Sequence, residues 1–234
     1  MEDKSRQIRR MFDRIARRYD LLNHLLSAGS DFYWRKAALD RLNTSAGSRI
    51  LDVGIGTGDL ALGLLRRTKK PAVVIGVDLA VKMMQVGRKK AHQQNNQPIR
   101  FVGGNAEALP LKTDMFDGAM VAFGVRNFSD ISAGLDSMHR VLKPGGRIVV
   151  LELSRPLYWG LRHLYQIYFK YILPGIGGVI SGDSGAYKYL HKSVMDFPER
   201  DRFEMLMTRT GFVETGYQDI SLGIATIYWG DKAQ

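Results

Sequence analysis

Ile50-Leu-Asp-Val-Gly-Ile-Gly-Thr-Gly-Asp59 is an apolar run that breaks into glycines at 54, 56 and 58. This is the pattern of a buried parallel strand turning sharply into a helix. The helix that starts near Asp59 carries Leu60, Leu64 and Leu65 on one face. Gly54, Gly56 and Gly58 strip side chains from the place where a ligand meets main-chain N–H groups, and the helix N-terminus behind them favours a carboxylate or phosphate. A nucleotide-like cofactor is expected there. A turn serving only strand-to-helix packing would use the same glycines.

Spacing narrows the cofactor. The dinucleotide fingerprint needs its third glycine one position later, where this chain has Asp59. About twenty residues beyond the loop, Val73-Val-Ile-Gly-Val-Asp78 is a second apolar strand ending in a carboxylate suited to a ribose diol. A V-D-x-G-x-G-x-G turn followed by a strand-end acid resembles S-adenosylmethionine-dependent methyltransferases more than dehydrogenases.

The chain has 234 residues, of which 45% are hydrophobic, enough for one sizeable core. We expect a single methyltransferase domain over 1–234: an N-terminal helical cap (1–45), a cofactor-binding core (46–153), a lid or substrate-binding insertion (154–200), and a closing helix and strands (201–234). There is no cysteine, which excludes disulfides, a thiolate nucleophile and cysteine-ligated zinc, and the five histidines show no ligand spacing. No metal is expected. The N-terminus lacks the order of a secretory signal, and no uncharged apolar run approaches the roughly 18 residues that span a bilayer. The expectation is a soluble, cytoplasmic protein. The net charge of +11 permits attraction to nucleic acid or to an anionic membrane face.

Ile8, Phe12, Ile15, Tyr19 and Leu22 are spaced for one face of a helix over 4–22, whose other faces carry Arg6, Arg9, Arg10, Arg14, Arg17 and Arg18. Such a helix can lie on anionic lipid or cover a core with a solvated outer face. A second helix is expected from Asp31 to about Leu42. From Arg49 strands and helices alternate: strand 49–53, helix 59–67, strand 73–77, helix 80–92, strands 99–102 and 115–122, helix 131–142, strand 146–152. That alternation predicts an α/β fold, a doubly wound, mostly parallel sheet with helices on both faces and ligands at the strands' carboxyl ends.

Gly103-Gly-Asn-Ala-Glu-Ala-Leu-Pro110 follows the third strand, where Asn105 offers an amide and Ala106 a main-chain N–H suited to an adenine edge. A plain turn would look the same. The fourth strand ends in Phe123-Gly-Val-Arg-Asn-Phe128, placing Arg126 and Asn127 beside the cofactor. An arginine paired to a neighbouring acid for stability is the alternative for Arg126. Residues 157–182 interleave aromatics with few charges, as a pocket wall, an interfacial anchor or ordinary helix core would. Asp183 and Tyr187 fall one helical turn apart. A helix over 198–210 and two closing strands end the chain.

Met11-Phe-Asp-Arg-Ile-Ala-Arg-Arg-Tyr-Asp-Leu-Leu-Asn23, the glycine loop, Gly104 to Pro110, Phe123-Gly-Val-Arg-Asn127, Val141 to Gly146 and Tyr187-Lys-Tyr-Leu-His-Lys-Ser193 occur in order along nearly the whole chain. Together they resemble the ubiquinone/menaquinone biosynthesis C-methyltransferase family (UbiE/MenG type). The resemblance implies a seven-stranded Rossmann-like class I methyltransferase with S-adenosyl-L-methionine as cofactor, and carries contacts over to Thr57, Asp78, Asn105 and Ala106. With their neighbours, the expected cofactor set is Asp52, Gly54, Gly56, Thr57, Gly58, Asp78, Leu79, Asn105, Ala106 and Phe123. Two positions depart from the family pattern: Ala122 where a serine is frequent, and Tyr228-Trp229 where a histidine is common.

The implied reaction is C-methylation of a polyprenylated quinol in menaquinone or ubiquinone biosynthesis: demethylmenaquinol to menaquinol, or alternatively 2-methoxy-6-polyprenyl-1,4-benzoquinol. Removing a phenolic proton makes the ring carbon nucleophilic, so Arg126 and Asn127 are expected to stabilise and orient a phenolate. Tyr187, Asp183, His191 and Tyr19 are candidate proton acceptors, with His191 equally a solvent-facing helix residue. The tail gives the 157–182 segment a purpose, and the basic helix a reversible hold on an anionic membrane. A homodimer is compatible with all of this. The rivals are an RNA methyltransferase and a non-catalytic lipid-quinone carrier; the chain lacks both the cysteine of one base-carbon mechanism and an Asn/Asp-Pro-Pro-aromatic motif, so nucleic acid is not expected as a partner.

Overall fold

The computed structural model describes residues 4–42, 45–67, 73–94, 98–167 and 184–234, with 164, 166, 184 and 187 as backbone alone. Seven strands, β1 (Arg49–Val53), β2 (Val73–Asp78), β3 (Ile99–Gly103), β4 (Phe116–Ala122), β5 (Leu142–Leu153), β6 (Phe212–Ile220) and β7 (Ala225–Lys232), form one sheet in the order β3-β2-β1-β4-β5-β7-β6. Neighbours from β3 to β5 are parallel, while β7 runs antiparallel to both β5 and β6. The winding reverses between β1 and β4, so a crevice opens at the carboxyl ends of β1, β2, β4 and β5.

Side chains alternate faces along a strand, which divides the core in two. Leu51, Val77, Phe116 and Val121 pack with Leu135 and Met138 of α6 (Ile131–Val141) and with Phe203 and Met207 of a late helix (Asp201–Arg209). Ile50, Val74, Met120 and Leu151 face Trp34 and Leu39 of α3 (Ser30–Arg41), Leu60 and Leu64 of α4 (Asp59–Arg67), and Met84 of α5 (Val81–Gln93). Burial on both faces is what makes β1, β2 and β4 read as continuous apolar runs. A third cluster joins Met11, Ile15 and Leu22 of the cap to Tyr165 of α7 (Trp159–Ile167) and to Ala186 and Val194 of α8 (Ser184–Asp196). The helix over Asp201–Arg209 is α9.

Three boundaries differ from the sequence expectation. The helix over 4–22 is two helices, α1 (Lys4–Ile15) and α2 (Tyr19–Leu26). In a straight helix, positions 12 and 19 would lie about 10 Å apart along the axis; the turn at 16–18 instead brings the Phe12 and Tyr19 rings edge to face at 5.9 Å. Ala16 at that turn is buried against Ala80 and Met83. β5 starts at Leu142 and absorbs Lys143 to Gly146 as an irregularity opposite Phe116 and Gly118. α9 starts at Asp201 because Arg200 before it is left-handed, with φ 57°.

Candidate active site

The glycine turn between β1 and α4 holds Gly54, Gly56 and Gly58 at φ 66°, 53° and 81°, a region a side chain would strain. Asp78 closes this loop from the end of β2. Its Oδ2 accepts the Gly56 N–H at 2.8 Å and its Oδ1 accepts the Ala80 N–H at 2.7 Å. Gly54, Gly56, Asp78, Leu79, Asn105, Ala106 and Phe123 line one pocket, roofed by Ser5, Ile8, Arg9 and Phe12 of α1. With α1 in place the pocket measures about 110 Å³, below the roughly 300–1,000 Å³ of small-molecule sites. The ties of α1 over the pocket include Lys4 Nζ donating to the Phe128 carbonyl at 2.6 Å and Asp13 accepting the Lys82 N–H at 2.8 Å.

Asn105 and Ala106 lie at the pocket wall as expected, although Asn105 Oδ1 already accepts the Glu107 N–H at 3.1 Å. Ala122, without a hydroxyl, is part of the same wall. Asp52, Thr57 and Gly58 do not line it. Thr57 is buried and donates its hydroxyl to Asp20 of α2 at 2.5 Å, and Lys90 bridges Asp20 and Asp59. Thr57 thus ties the glycine loop to the cap. Asp52 lies below the loop with Oδ2 buried and unpaired among the described residues.

Burial raises the Asp52 carboxyl well above its ordinary range, and the neighbouring Asp78 adds to it. Burial also raises Asp78, against the opposing N–H groups of Ala80, Gly56 and Leu79. A carboxylate pair out of water is a costly arrangement that a cation beside it relieves. The donor set therefore fits a ligand with a diol for Asp78, a base for the 105–106 wall and a positive centre, which S-adenosylmethionine combines.

Arg126 stands in a 3-10 turn, Val125–Asn127, beyond β4. It is buried, and Glu152 at the end of β5, with no exposed surface, accepts from its Nη1 at 2.7 Å and from its main-chain N–H at 3.2 Å. Burial disfavours the guanidinium charge, but Glu152 outweighs it and keeps the group protonated. The pairing alternative is therefore realised, yet Arg126 also lines a second cavity and its Nε has no partner among the described residues. Asn127 spans two groups: Nδ2 donates to the Phe123 carbonyl at 3.2 Å, and Oδ1 accepts from the Tyr189 hydroxyl at 3.1 Å. Its amide holds Phe123 and α8 in place rather than reaching out for a ring oxygen. Phe123 itself is left-handed, φ 57°, and its ring sits between the Arg35 and Arg126 guanidinium carbons, 5.7 and 5.9 Å from the centroid. Such strain persists only where the surroundings enforce it.

The second cavity, about 600 Å³, is walled mainly by Leu25, Leu26, Trp34, Leu153, Leu161, Leu190 and Ile224, with Tyr19, Asn23, Asp31 and Arg126 among its polar members. Tyr19 and Phe123 line both this cavity and the glycine pocket. Burial raises Tyr19, partly offset by Arg126, and raises Tyr189 likewise, so both keep their protons. This removes Tyr19 as a proton acceptor. His191 is not on the cavity wall. Asp183 lies outside the described residues, as does the Tyr187 side chain. Tyr228, at the position where the family pattern differs, is fully buried among Phe197, Phe203 and Tyr217 and accepts the Arg200 N–H at 2.7 Å, a core role.

Sequence reading missed Glu152, Tyr189 and the α1 roof. Glu152 had the same signal as Asp78, a carboxylate ending an apolar strand. Tyr187 and Tyr189 lie about 200° apart around a helix, and only packing chooses between them.

Comparison with known proteins gives the same reading. The family model of the ubiE/COQ5 methyltransferase family matches residues 1–232. A ubiquinone/menaquinone biosynthesis C-methyltransferase from Geotalea daltonii is 44% identical over 233 residues, 99% of each chain. A demethylmenaquinone methyltransferase from Thermus thermophilus is 44% identical over 222 residues, 95% of this chain and 100% of that one. Among solved structures, a SAM-dependent methyltransferase from Thermotoga maritima has TM-score 0.69 at 21% identity, covering 95% of this chain and 98% of that one. The [4+2]-cyclase SpnF has TM-score 0.68 at 17% identity, covering 98% and 97%. These structural likenesses establish the fold, a Rossmann-like class I methyltransferase.

Because Asp52 is raised in the folded chain, the folded state holds a proton that the unfolded state releases at pH values above the ordinary carboxylate range, and stability falls as pH rises through that window. Asp52→Asn should raise the melting midpoint of the ligand-free protein at pH 7.5, by less at pH 5, and weaken S-adenosylmethionine binding. Scanning calorimetry at both pH values checks the first part; an equal shift at both, or a loss at pH 7.5, would contradict it.

Proposed function

This chain belongs to the ubiE/COQ5 methyltransferase family, and from that premise we propose that its acceptor is demethylmenaquinol, taken as a polyprenylated quinol from a lipid bilayer. It is an S-adenosylmethionine-dependent methyltransferase acting on a quinone precursor. The observation that carries the finer reading is the apolar cavity that meets the glycine pocket at Tyr19 and Phe123, with Arg126 on its wall. Its volume is ample for a two-ring quinol, and its aliphatic lining suits the start of a prenyl tail. The naphthoquinol is favoured over the benzoquinol because relatives from Thermus thermophilus and Deinococcus radiodurans carry the name demethylmenaquinone methyltransferase alone.

Bound S-adenosylmethionine supplies an electrophilic methyl group on a sulfonium. The chain's own residues prepare the acceptor. Arg126 stands on the cavity wall with its charge held by Glu152, and its guanidinium is the cationic group available to a quinol oxygen. The paired Glu152 prevents Arg126 from turning away and makes the pair neutral as a whole, so a developing phenolate is stabilised by a fixed dipole rather than by a lone cation. The left-handed Phe123 on the cavity wall, its carbonyl held by Asn127 and that amide in turn by Tyr189, sets the ring's approach. Orientation of this kind is worth roughly 7–11 kcal/mol in well-aligned reactions.

The surface supports delivery from a bilayer. Leu21, Leu25, Phe32 and Tyr33 of the cap, Leu157, Tyr158 and Trp159 before and at the start of α7, and Leu222 are all exposed, Trp159 by 83%. Leu222 is left-handed at φ 59° beside Leu157, whose N–H donates to its carbonyl at 3.3 Å, next to Ser221 and Ile224 of the cavity wall. At the α1–α2 turn, Arg14, Arg17 and Arg18 face Lys82, Arg88 and Lys89 of α5 across a groove. Each cation near an anionic leaflet adds about 1 kcal/mol. These features support peripheral attachment to an anionic membrane face.

Methyl transfer from labelled S-adenosylmethionine to a reduced short-chain demethylnaphthoquinone should exceed that to the methoxybenzoquinone analogue. Arg126→Ala should lower the rate by about 10²–10³-fold with cofactor affinity kept; a preference for the benzoquinol would overturn the acceptor assignment. In liposome co-sedimentation, binding should rise with anionic lipid and fall with salt, and insensitivity to both would remove the electrostatic part.

A further inference from the structure

Methylation of a quinol carbon releases one proton. The quinol O–H gives up its proton as the ring carbon bonds the methyl carbon, and the methyl–sulfur bond breaks with its electron pair remaining on sulfur. The ring C–H proton then leaves and the hydroxyl is regained as aromaticity returns. One proton per turnover must therefore leave a cavity lined mainly by leucine and aromatic side chains. Arg126 cannot accept it, since its charge is locked by Glu152. Tyr19 and Tyr189 are held protonated by burial.

Among the described residues, Asp31 is the one carboxylate on the wall of the quinol cavity. It is 2% exposed, at the start of α3, and its two oxygens are fully organised. Oδ1 accepts from the Ser27 hydroxyl at 2.8 Å; Oδ2 accepts from Arg35 and lies 2.7 Å from His24 Nδ1. The Arg35 and Arg126 guanidinium carbons lie 5.7 and 5.9 Å from the Phe123 ring centroid, so the cation that pairs with Asp31 shares an aromatic neighbour with Arg126. His24 is different in position. It is 29% exposed, off the cavity wall, and stacks on the exposed Phe32 ring at 4.3 Å. A buried carboxylate facing the substrate is thus hydrogen-bonded to an imidazole that reaches solvent. Neither group is used by the cofactor pocket or by the Arg126–Glu152 pair.

We propose that Asp31 and His24 form the proton exit of the quinol cavity: the carboxylate takes the proton the quinol releases, Oδ2 gives it to the unprotonated Nδ1 of the Nε2–H tautomer of His24, and Nε2 gives its own proton to solvent. Burial tends to raise the Asp31 carboxyl, but Arg35, Ser27 and His24 outweigh it and hold it low, so Asp31 does not retain the proton. A purely structural role, bracing the α2–α3 turn, would use the same hydrogen bonds and must be separated by experiment.

The inference rests on the quinol reading above. Single-turnover methyl transfer to the reduced demethylnaphthoquinone is measured for wild type, His24→Ala, and His24→Ala with added imidazoles, with S-adenosylmethionine binding by calorimetry as the control for folding. His24→Ala should bind the cofactor as wild type does and react about 10²-fold more slowly. Imidazole should restore at least about tenfold of that, more for the more basic substituted imidazoles. A His24→Ala rate equal to wild type, or a slow rate that no imidazole restores, would overturn the exit route. Absence of transfer by wild type itself would instead overturn the acceptor assignment beneath it.

Discussion

Two opposite charges, Arg126 and Glu152, are buried side by side at the carboxyl ends of β4 and β5, and the site is arranged around their mutual need. Removing such a pair from water costs several kcal/mol for each ion, and only close geometry with further hydrogen bonds repays it. Glu152 meets this by accepting from both the side chain and the main chain of Arg126. The tight turn at 125–127 follows, and with it the left-handed Phe123 and the Asn127 amide that holds its carbonyl. Phe123 then stands on the wall of both the glycine-lined pocket and the apolar cavity. The pair is poorly explained as a device for stability alone, since a hydrophobic replacement serves that end as well or better.

The parallel core was legible in the sequence because β1, β2 and β4 are buried on both faces and so appear as unbroken apolar runs ending in glycine or acid. Gly54, Gly56, Asp78, Leu79, Asn105, Ala106 and Phe123 were legible for the same reason: each stands where a strand ends. The cap was only half legible. Period 3.6 over residues 8–22 is satisfied equally by one helix and by two that turn back on each other, and the choice was made by Ala16 packing on Ala80 and Met83. Thr57 was assigned to the cofactor although its hydroxyl is taken by Asp20, thirty-seven residues away in sequence. Contacts between distant segments, such as Tyr189 with Asn127 and His24 with a carboxylate seven positions later, leave no periodic trace.

The fold by itself does not choose a reaction. A cyclase and a methyltransferase share this architecture with TM-scores of 0.68 and 0.69, so function is carried by the residues placed at the strand ends. Here buried carboxyl groups at 52 and 78 favour a cationic cofactor, while a guanidinium on the wall of the neighbouring cavity favours an anionic oxygen there. Opposite electrostatic preferences in a pocket and a cavity that share Phe123 on their walls are what transfer of a methyl cation to a phenolate requires.

The most direct measurement is a structure of the protein with S-adenosylhomocysteine and a demethylnaphthoquinone bound. The expected result has adenine beside Asn105 and Ala106, ribose hydroxyls on Asp78, the sulfur at the boundary formed by Tyr19 and Phe123, and a quinone oxygen on Arg126. A sulfur directed away from that boundary, or a quinone bound outside the cavity that Arg126 lines, would contradict it.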